Sequence, residues 1–271
     1  MKKLIPLFIK ILSVLSPKLA TKISLKLFSH PRRKKRSDEE MSFLATGNQV
    51  TFKSERKARI WGEGPVIWVL HGWESRGSTF YKLIPLLLEK GYMVVAWDGP
   101  AHGDSPGKVS NVVDHPRALS IDMNEGLFAD PVAMIGHSFG GAAFAIFSKI
   151  HKMPPKTVII SAPTRIIGVF NRFFKMLKLG KKSQDLFISH SETKTGYKVS
   201  EMSLVNNDFS KLSNTLIIHD KGDDVIPYND FVVLKETWQT GTFISTENLG
   251  HRLTIKDSLI LGKILEFLYK E

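Results

Sequence analysis

Val132-Ala133-Met134-Ile135-Gly136-His137-Ser138-Phe139-Gly140-Gly141 reads as a short apolar strand, a tight turn of the form G-x-S-x-G, and the start of an Ala-rich helix. A serine at the tip of such a turn sits in a strained backbone conformation. Side chains at the flanking positions would collide with the adjoining strand and helix, so glycine is required there. The helix that follows presents backbone N–H groups toward any negative charge that develops on a reacting group. Ser138 is therefore the candidate nucleophile.

On either side of this turn the chain alternates between strand and helix. Gln49–Phe52 and Ala58–Trp61 read as an opening hairpin. Short apolar runs of the buried parallel-strand type follow at Val66–Leu70, Met93–Trp97, Val132–Ile135, Thr157–Ser161, Thr215–His219 and Thr242–Thr246. Helical stretches at Tyr81–Lys90, Arg117–Phe128 and Gly141–His151 separate them. Such alternation predicts an α/β protein, a mostly parallel sheet with helices on both faces. Reacting groups then lie beyond the carboxyl ends of the strands.

A serine hydroxyl needs a base, and the base needs a group to orient it. Both occur at later strand ends. Thr215–His219 runs into Asp220-Lys221-Gly222-Asp223-Asp224-Val225-Ile226-Pro227, and Phe243–Thr246 runs into Glu247-Asn248-Leu249-Gly250-His251. The chain order is serine, acid, histidine.

On these motifs the chain resembles the α/β-hydrolase superfamily from about Val50 onward. The resemblance implies an α/β-hydrolase fold with a short helical cap insertion. The family's H-G-x-x-D-x-x-V-P-like segment falls on His219, Asp223 and Pro227, which selects Asp223 over Asp220 and Asp224. Gly250-His251 matches the turn that seats the base. Leu70-His71-Gly72-Trp73 matches the loop that supplies an oxyanion-hole donor, so the implied donors are the backbone N–H groups of Trp73 and Phe139. Asp98-Gly99-Pro100-Ala101-His102-Gly103-Asp104-Ser105 resembles a D-x-x-G-H-G-x-S turn, with Ala101 in place of the usual glycine, and His102 is read as loop-shaping. The lead ending in Pro31-Arg32-Arg33, together with His71-Gly72-Trp73-Glu74 and the serine turn, is similar to a bacterial group within the superfamily, whose substrates these motifs do not imply.

Serine rather than aspartate at the turn favours acyl transfer to water over epoxide opening or halide displacement. A small-molecule carboxylic ester is the expected substrate; peptidase-like and thioesterase-like activities share the same triad and stay open. Two other classes remain: an acyltransferase at a lipid surface, and a non-catalytic binding member of the fold, which usually lacks a triad residue. No cofactor is expected. No metal is expected either, since no histidine pair has zinc-ligand spacing with carboxylate support. With no cysteine, thiol chemistry is excluded. Of the remaining histidines, His30 lies in the N-terminal arm, His115 and His190 are placed in loops, His151 near a helix end, and His137 in the turn beside the nucleophile.

The formal net charge of +12 is unevenly placed. Residues 1–36 hold 11 of the 38 Lys and Arg and no acid, and the remainder is nearly balanced at 27 basic against 26 acidic. Charge confined to one end predicts a surface-binding arm, not a nucleic-acid groove. Within this arm, taken as residues 1–47, Leu4, Ile5, Leu7, Phe8, Ile11, Leu12 and Leu15 follow a helical period interrupted by Lys10; Ser16-Pro17 opens a second helix to about Phe28; and Arg32-Arg33-Lys34-Lys35-Arg36 closes the segment. Packing on the hydrolase domain (residues 48–271), peripheral contact with an anionic membrane, and a signal peptide are the open readings. A cytoplasmic location with membrane contact through the arm is the expectation. The cap is placed at about 164–212. Ile166, Phe170, Phe173, Met176 and Leu177 are assigned there to one apolar helical face, and six basic residues between Arg165 and Lys182 occur without an acid. Such a helix either covers the sheet or forms a lid over an acyl pocket.

Overall fold

A computed structural model describes residues 4–212 and 214–269. Among these residues eight strands form one sheet: β1 (Asn48–Thr51), β2 (Lys57–Trp61), β3 (Val66–Leu70), β4 (Met93–Asp98), β5 (Ala133–His137), β6 (Lys156–Ile160), β7 (Thr215–Asp220) and β8 (Thr242–Thr246). Their order is β1-β2-β4-β3-β5-β6-β7-β8. β1 and β2 pair antiparallel, as do β2 and β4, and every other pairing is parallel.

Alternate residues of a strand point to opposite faces, and here both faces are apolar. Ile67, Val69, Ile135, Val158 and Ile160 belong to one core, with α4 (Leu83–Leu88) and α12 (Ser258–Tyr269) laid over it. Trp68, Leu70, Met134 and Ile159 belong to the other, covered by α5 (Asp114–Met123), α7 (Phe144–Ile150) and α10 (Tyr228–Thr237). The central strands β3 to β7 read as unbroken apolar runs because neither of their faces meets water.

The arm forms α1 (Leu4–Leu15), α2 (Pro17–Ser29) and α3 (Asp38–Leu44); the cap segment forms α8 (Ile166–Leu177) and α9 (Lys181–Thr195). Arm and cap share a third apolar cluster: Ile9 and Ala20 are fully buried among Ile166, Phe170, Phe174, Leu177 and Phe187. The Phe28 ring meets those of Phe170, Phe173 and Phe187 at 5.4, 4.9 and 5.5 Å. Thr21 Oγ1 donates to the Ser183 carbonyl at 3.1 Å, and Ser183 Oγ donates to that of Pro17 at 3.2 Å. Of the readings left open for the arm, packing is the one the structure displays, with the cap helices as its partner. The expected apolar face of α8 needs correction: Phe174 is buried, Phe173 only partly, and Met176 is 60% exposed. The stripe is set by the arm rather than by the sheet.

The basic run clamps the arm to the domain. Arg32 and Lys34 pair with Glu74 at 2.8 and 3.1 Å, and Arg36 pairs with Asp104 at 2.8 Å. Arg33 donates to the Ser105 carbonyl at 2.5 Å. Arg76 holds Glu40 of α3 and donates to the carbonyls of Lys34 and Lys35. Burial would raise the Glu74 carboxyl, but Arg32 and Lys34 outweigh it and hold it below the usual carboxylate range. Among the described residues no helix is long and apolar enough to cross a membrane.

Candidate active site

Ser138 lies between β5 and α6 (Phe139–Ala142) with φ 53° and ψ −116°, a left-handed-side conformation that a non-glycine residue adopts only when its surroundings impose it. The glycines around it are tight. A Cβ on Gly136 would lie 2.7 Å from Gly141 Cα, and one on Gly140 would lie 2.3 Å from the Leu70 carbonyl oxygen. The turn is thus pressed against both its own helix and the end of β3.

The predicted partners converge on this serine. His251, on α11 (Gly250–Leu253) after β8, places Nε2 at 3.0 Å from Ser138 Oγ. Its Nδ1 lies 2.7 Å from Asp223 Oδ2, in the loop after β7. Asp223 Oδ1 accepts the N–H groups of Val225 at 2.9 Å and Ile226 at 2.8 Å. Burial alone would raise its carboxyl; the His251 hydrogen bond and the Ile226 N–H prevail and hold it below the usual range. All three residues are 8% exposed.

The loop after β3 closes the other side. A Cβ on Gly72 would stand 3.1 Å from Ser138 Cβ, so this backbone runs directly beside the serine. Trp73 and Phe139 pack ring to ring at 5.2 Å. No protein group among the described residues accepts a hydrogen bond from either backbone N–H. The two groups assigned as oxyanion donors are therefore both next to the serine and uncommitted.

Other side chains hold these loops. His71 Nδ1 donates to the Gly72 carbonyl at 2.8 Å, and its Nε2 accepts the Gly99 N–H at 3.0 Å, tying the loop after β3 to the turn after β4. Asp98 accepts the N–H groups of Gly77 at 2.7 Å and Asp104 at 2.8 Å. His102 Nδ1 donates to the Pro100 carbonyl at 2.9 Å, a contact internal to its loop. His219 Nε2 donates to the Ile226 carbonyl at 3.0 Å and shapes the segment carrying Asp223.

Two supporting residues escaped the reading of the sequence. His137 Nε2 donates to the His251 carbonyl at 2.9 Å and fixes the backbone of the base; burial, with His251 nearby, lowers the His137 imidazole to about 3. Asp220 accepts from Gly222, Leu249 and Gly250 N–H groups and from Thr246 Oγ1, joining the loops that carry Asp223 and His251. Their only sequence signal is adjacency to the candidate residues. Two histidine placements are corrected. His115 is not in a loop but fully buried on α5, whose start is set by Asn111 Oδ1 accepting the N–H groups of Val113 and Asp114. His190 lies on α9, which runs uninterrupted to its stop at Gly196.

Residues 65–179 match a family model described as alpha/beta hydrolase fold. Over that stretch the chain is similar to the α/β-hydrolase superfamily, and its sheet has the α/β-hydrolase fold. Among solved structures the chain superimposes on an esterase of Pyrococcus furiosus, with a TM-score of 0.63, 20% identity, and coverage of 88% of this chain and 98% of that one. An esterase from Exiguobacterium antarcticum gives a TM-score of 0.59 at 17% identity over 83% of this chain and 100% of that one. At these identities the likeness is one of fold. In sequence the chain is 31% identical to a human serine hydrolase-like protein over 112 residues, 39% of this chain and 55% of that protein. It is 33% identical to the magnesium-chelatase 30 kDa subunit of Rhodobacter capsulatus over 120 residues, 44% and 42% respectively. The aligned stretches thus span about half the length of these curated relatives.

Proposed function

We propose that this α/β-hydrolase cleaves a carboxylic ester, or a closely related acyl bond, through an acyl-enzyme on Ser138. The observation that carries the reading is the continuous hydrogen-bond chain Ser138 Oγ, His251, Asp223 at 3.0 and 2.7 Å. His251 Nε2 takes the hydroxyl proton as Oγ attacks the acyl carbon, and Asp223 holds Nδ1–H and stabilises the imidazolium. The negative oxygen of the tetrahedral intermediate turns to the N–H groups of Trp73 and Phe139. His251 then returns the proton to the departing alcohol, and the acyl group remains on Ser138. Water, deprotonated by His251, attacks the acyl carbon and releases the acid and free Ser138. The serine hydrolase-like and esterase names of relatives and structural neighbours agree with this chemistry. No step calls for a metal or an organic cofactor.

The test is hydrolysis of chromogenic esters of graded acyl length by wild type and Ser138→Ala, with melting temperature as the check on folding. The variant is expected to lose at least ~10⁴-fold in kcat at unchanged melting temperature. Equal turnover by both proteins would refute the assignment. If wild type turns over esters only when an alcohol acceptor is supplied, the chain is an acyltransferase.

A further inference from the structure

We infer that the outward face of α1, together with a lysine stripe on α2, docks the protein on an anionic lipid bilayer. A helix that is apolar all round is ordinarily covered on all sides. α1 is covered on one side only: Ile9 and Ser13 are buried toward the cap. Leu4, Leu7, Phe8, Ile11, Val14 and Leu15 lie on the opposite side and are each 51–80% exposed. They form one stripe at ~100° per residue, and a contiguous apolar surface of this kind marks a binding face.

Charge selects the occupant. Lys18, Lys22 and Lys26 recur every fourth residue along α2 and are exposed, and Lys10 stands exposed on α1. None of the four forms an ion pair among the described residues. Arg32, Arg33, Lys34 and Arg36 are already engaged with Glu74, Asp104 and the Ser105 carbonyl, so the lysines of α1 and α2 carry the charge the helices leave free. An apolar stripe beside unpaired lysines matches lipid acyl chains beneath anionic headgroups. A second copy is a poor match, because it would bring two lysine stripes together and no acid lies between residues 1 and 36 to offset them. At 12 residues α1 is ~18 Å long, too short for a ~30 Å hydrocarbon core, so it lies in the plane of the interface. Because α1 and α2 pack on α8 and α9, docking sets the cap at the lipid surface. The docking does not depend on the esterase reading.

The test is co-sedimentation of the full chain with vesicles of phosphatidylcholine alone, or of equal parts phosphatidylcholine and phosphatidylglycerol. Wild type is expected to bind the anionic vesicles about tenfold or more tightly than the neutral ones, and less tightly as salt rises. Phe8→Glu/Ile11→Glu should lose binding to both, whereas Lys18→Glu/Lys22→Glu should lose only the preference for phosphatidylglycerol. Both variants change exposed side chains, and an unchanged melting temperature confirms the fold. Wild-type binding to neither vesicle, or undiminished binding by Phe8→Glu/Ile11→Glu, overturns the inference. So does a wild-type dimer in light scattering that Phe8→Glu/Ile11→Glu converts to monomer, which assigns the face to a second copy.

Discussion

Asp223 is a carboxylate that remains ionised although buried, because every oxygen has a partner. Oδ1 takes two backbone N–H groups and Oδ2 faces His251 Nδ1. Its proposed work is to hold one tautomer of His251, with the proton on Nδ1 and the lone pair of Nε2 toward Ser138. Asp223→Asn preserves size but loses this preference, since an amide NH2 beside Nδ1 drives the proton to Nε2. The expected result is a ~10⁴-fold fall in kcat with KM little changed, read by steady-state ester hydrolysis. A loss smaller than tenfold would remove Asp223 from the proposed triad. The acid and base were both legible in the sequence, because each follows an apolar strand in a recognisable segment. The bond from His137 to the His251 carbonyl was not, since it joins positions 114 residues apart.

At the scale of elements, the serine turn works because β3, β5 and α6 approach within backbone contact. Gly140 is the tightest point. A methyl group there meets the Leu70 carbonyl at 2.3 Å and that of His71 at 2.8 Å, and backbone cannot rotate aside as a side chain can. Gly140→Ala should therefore destabilise the fold by ~3 kcal/mol or more and displace the loop carrying Trp73. Urea unfolding of the variant measures this, and a loss below about 0.5 kcal/mol would show that the strands can separate more easily than their contact implies. The strands themselves were legible as apolar runs bounded by turn residues. The phase of α8 was less so. Phe173 and Phe174 are adjacent aromatics, and which of them turns inward is decided by Phe187 on α9 and by Ile9 and Phe28 of the arm, the latter two more than 140 residues away.

For the molecule as a whole, acid sensitivity follows from its buried imidazoles. Burial holds His71 and His115 well below the ordinary histidine value, and it lowers His137 to about 3. All three are neutral in the folded chain at neutral pH and take up protons on unfolding below about pH 6.5. The unfolded state then binds more protons, so stability falls as the pH drops, by up to ~1.4 kcal/mol per pH unit for each group. Asp98 acts in the opposite sense: burial raises its carboxyl to about 6, so between about pH 6 and 4 the folded state holds the extra proton. Burial lowers the His102 and His219 imidazoles as well, so the imidazoles outnumber the one raised carboxyl and the net is a loss. The depressed carboxyls of Asp223, Asp220 and Glu74 add to it at lower pH, as protonation removes their bonds. Calorimetry at about pH 7.5 and 5.5 should show a lower melting temperature at the acid value. A constant or higher one would mean that these imidazoles gain protons without unfolding.

The strands, the glycine-flanked serine turn, and the chain order of the candidate serine, acid and histidine are readable from the residues alone. Each is a short-range property: period-two or unbroken apolar runs specify strands, glycines specify a turn, and strand ends specify where polar side chains emerge. What the arm rests on and what its charges do depend on contacts between distant parts of the chain. α1 is apolar over most of its circumference, broken only by Lys10 and Ser13, so the sequence alone does not say which side is buried. Its inward face was selected by the cap helices α8 and α9, more than 150 residues away. The arginines of the arm are likewise anonymous as a run of positive charge. Their partners Glu74 and Asp104 come within reach only when the loops after β3 and β4 have been brought together by the folded sheet.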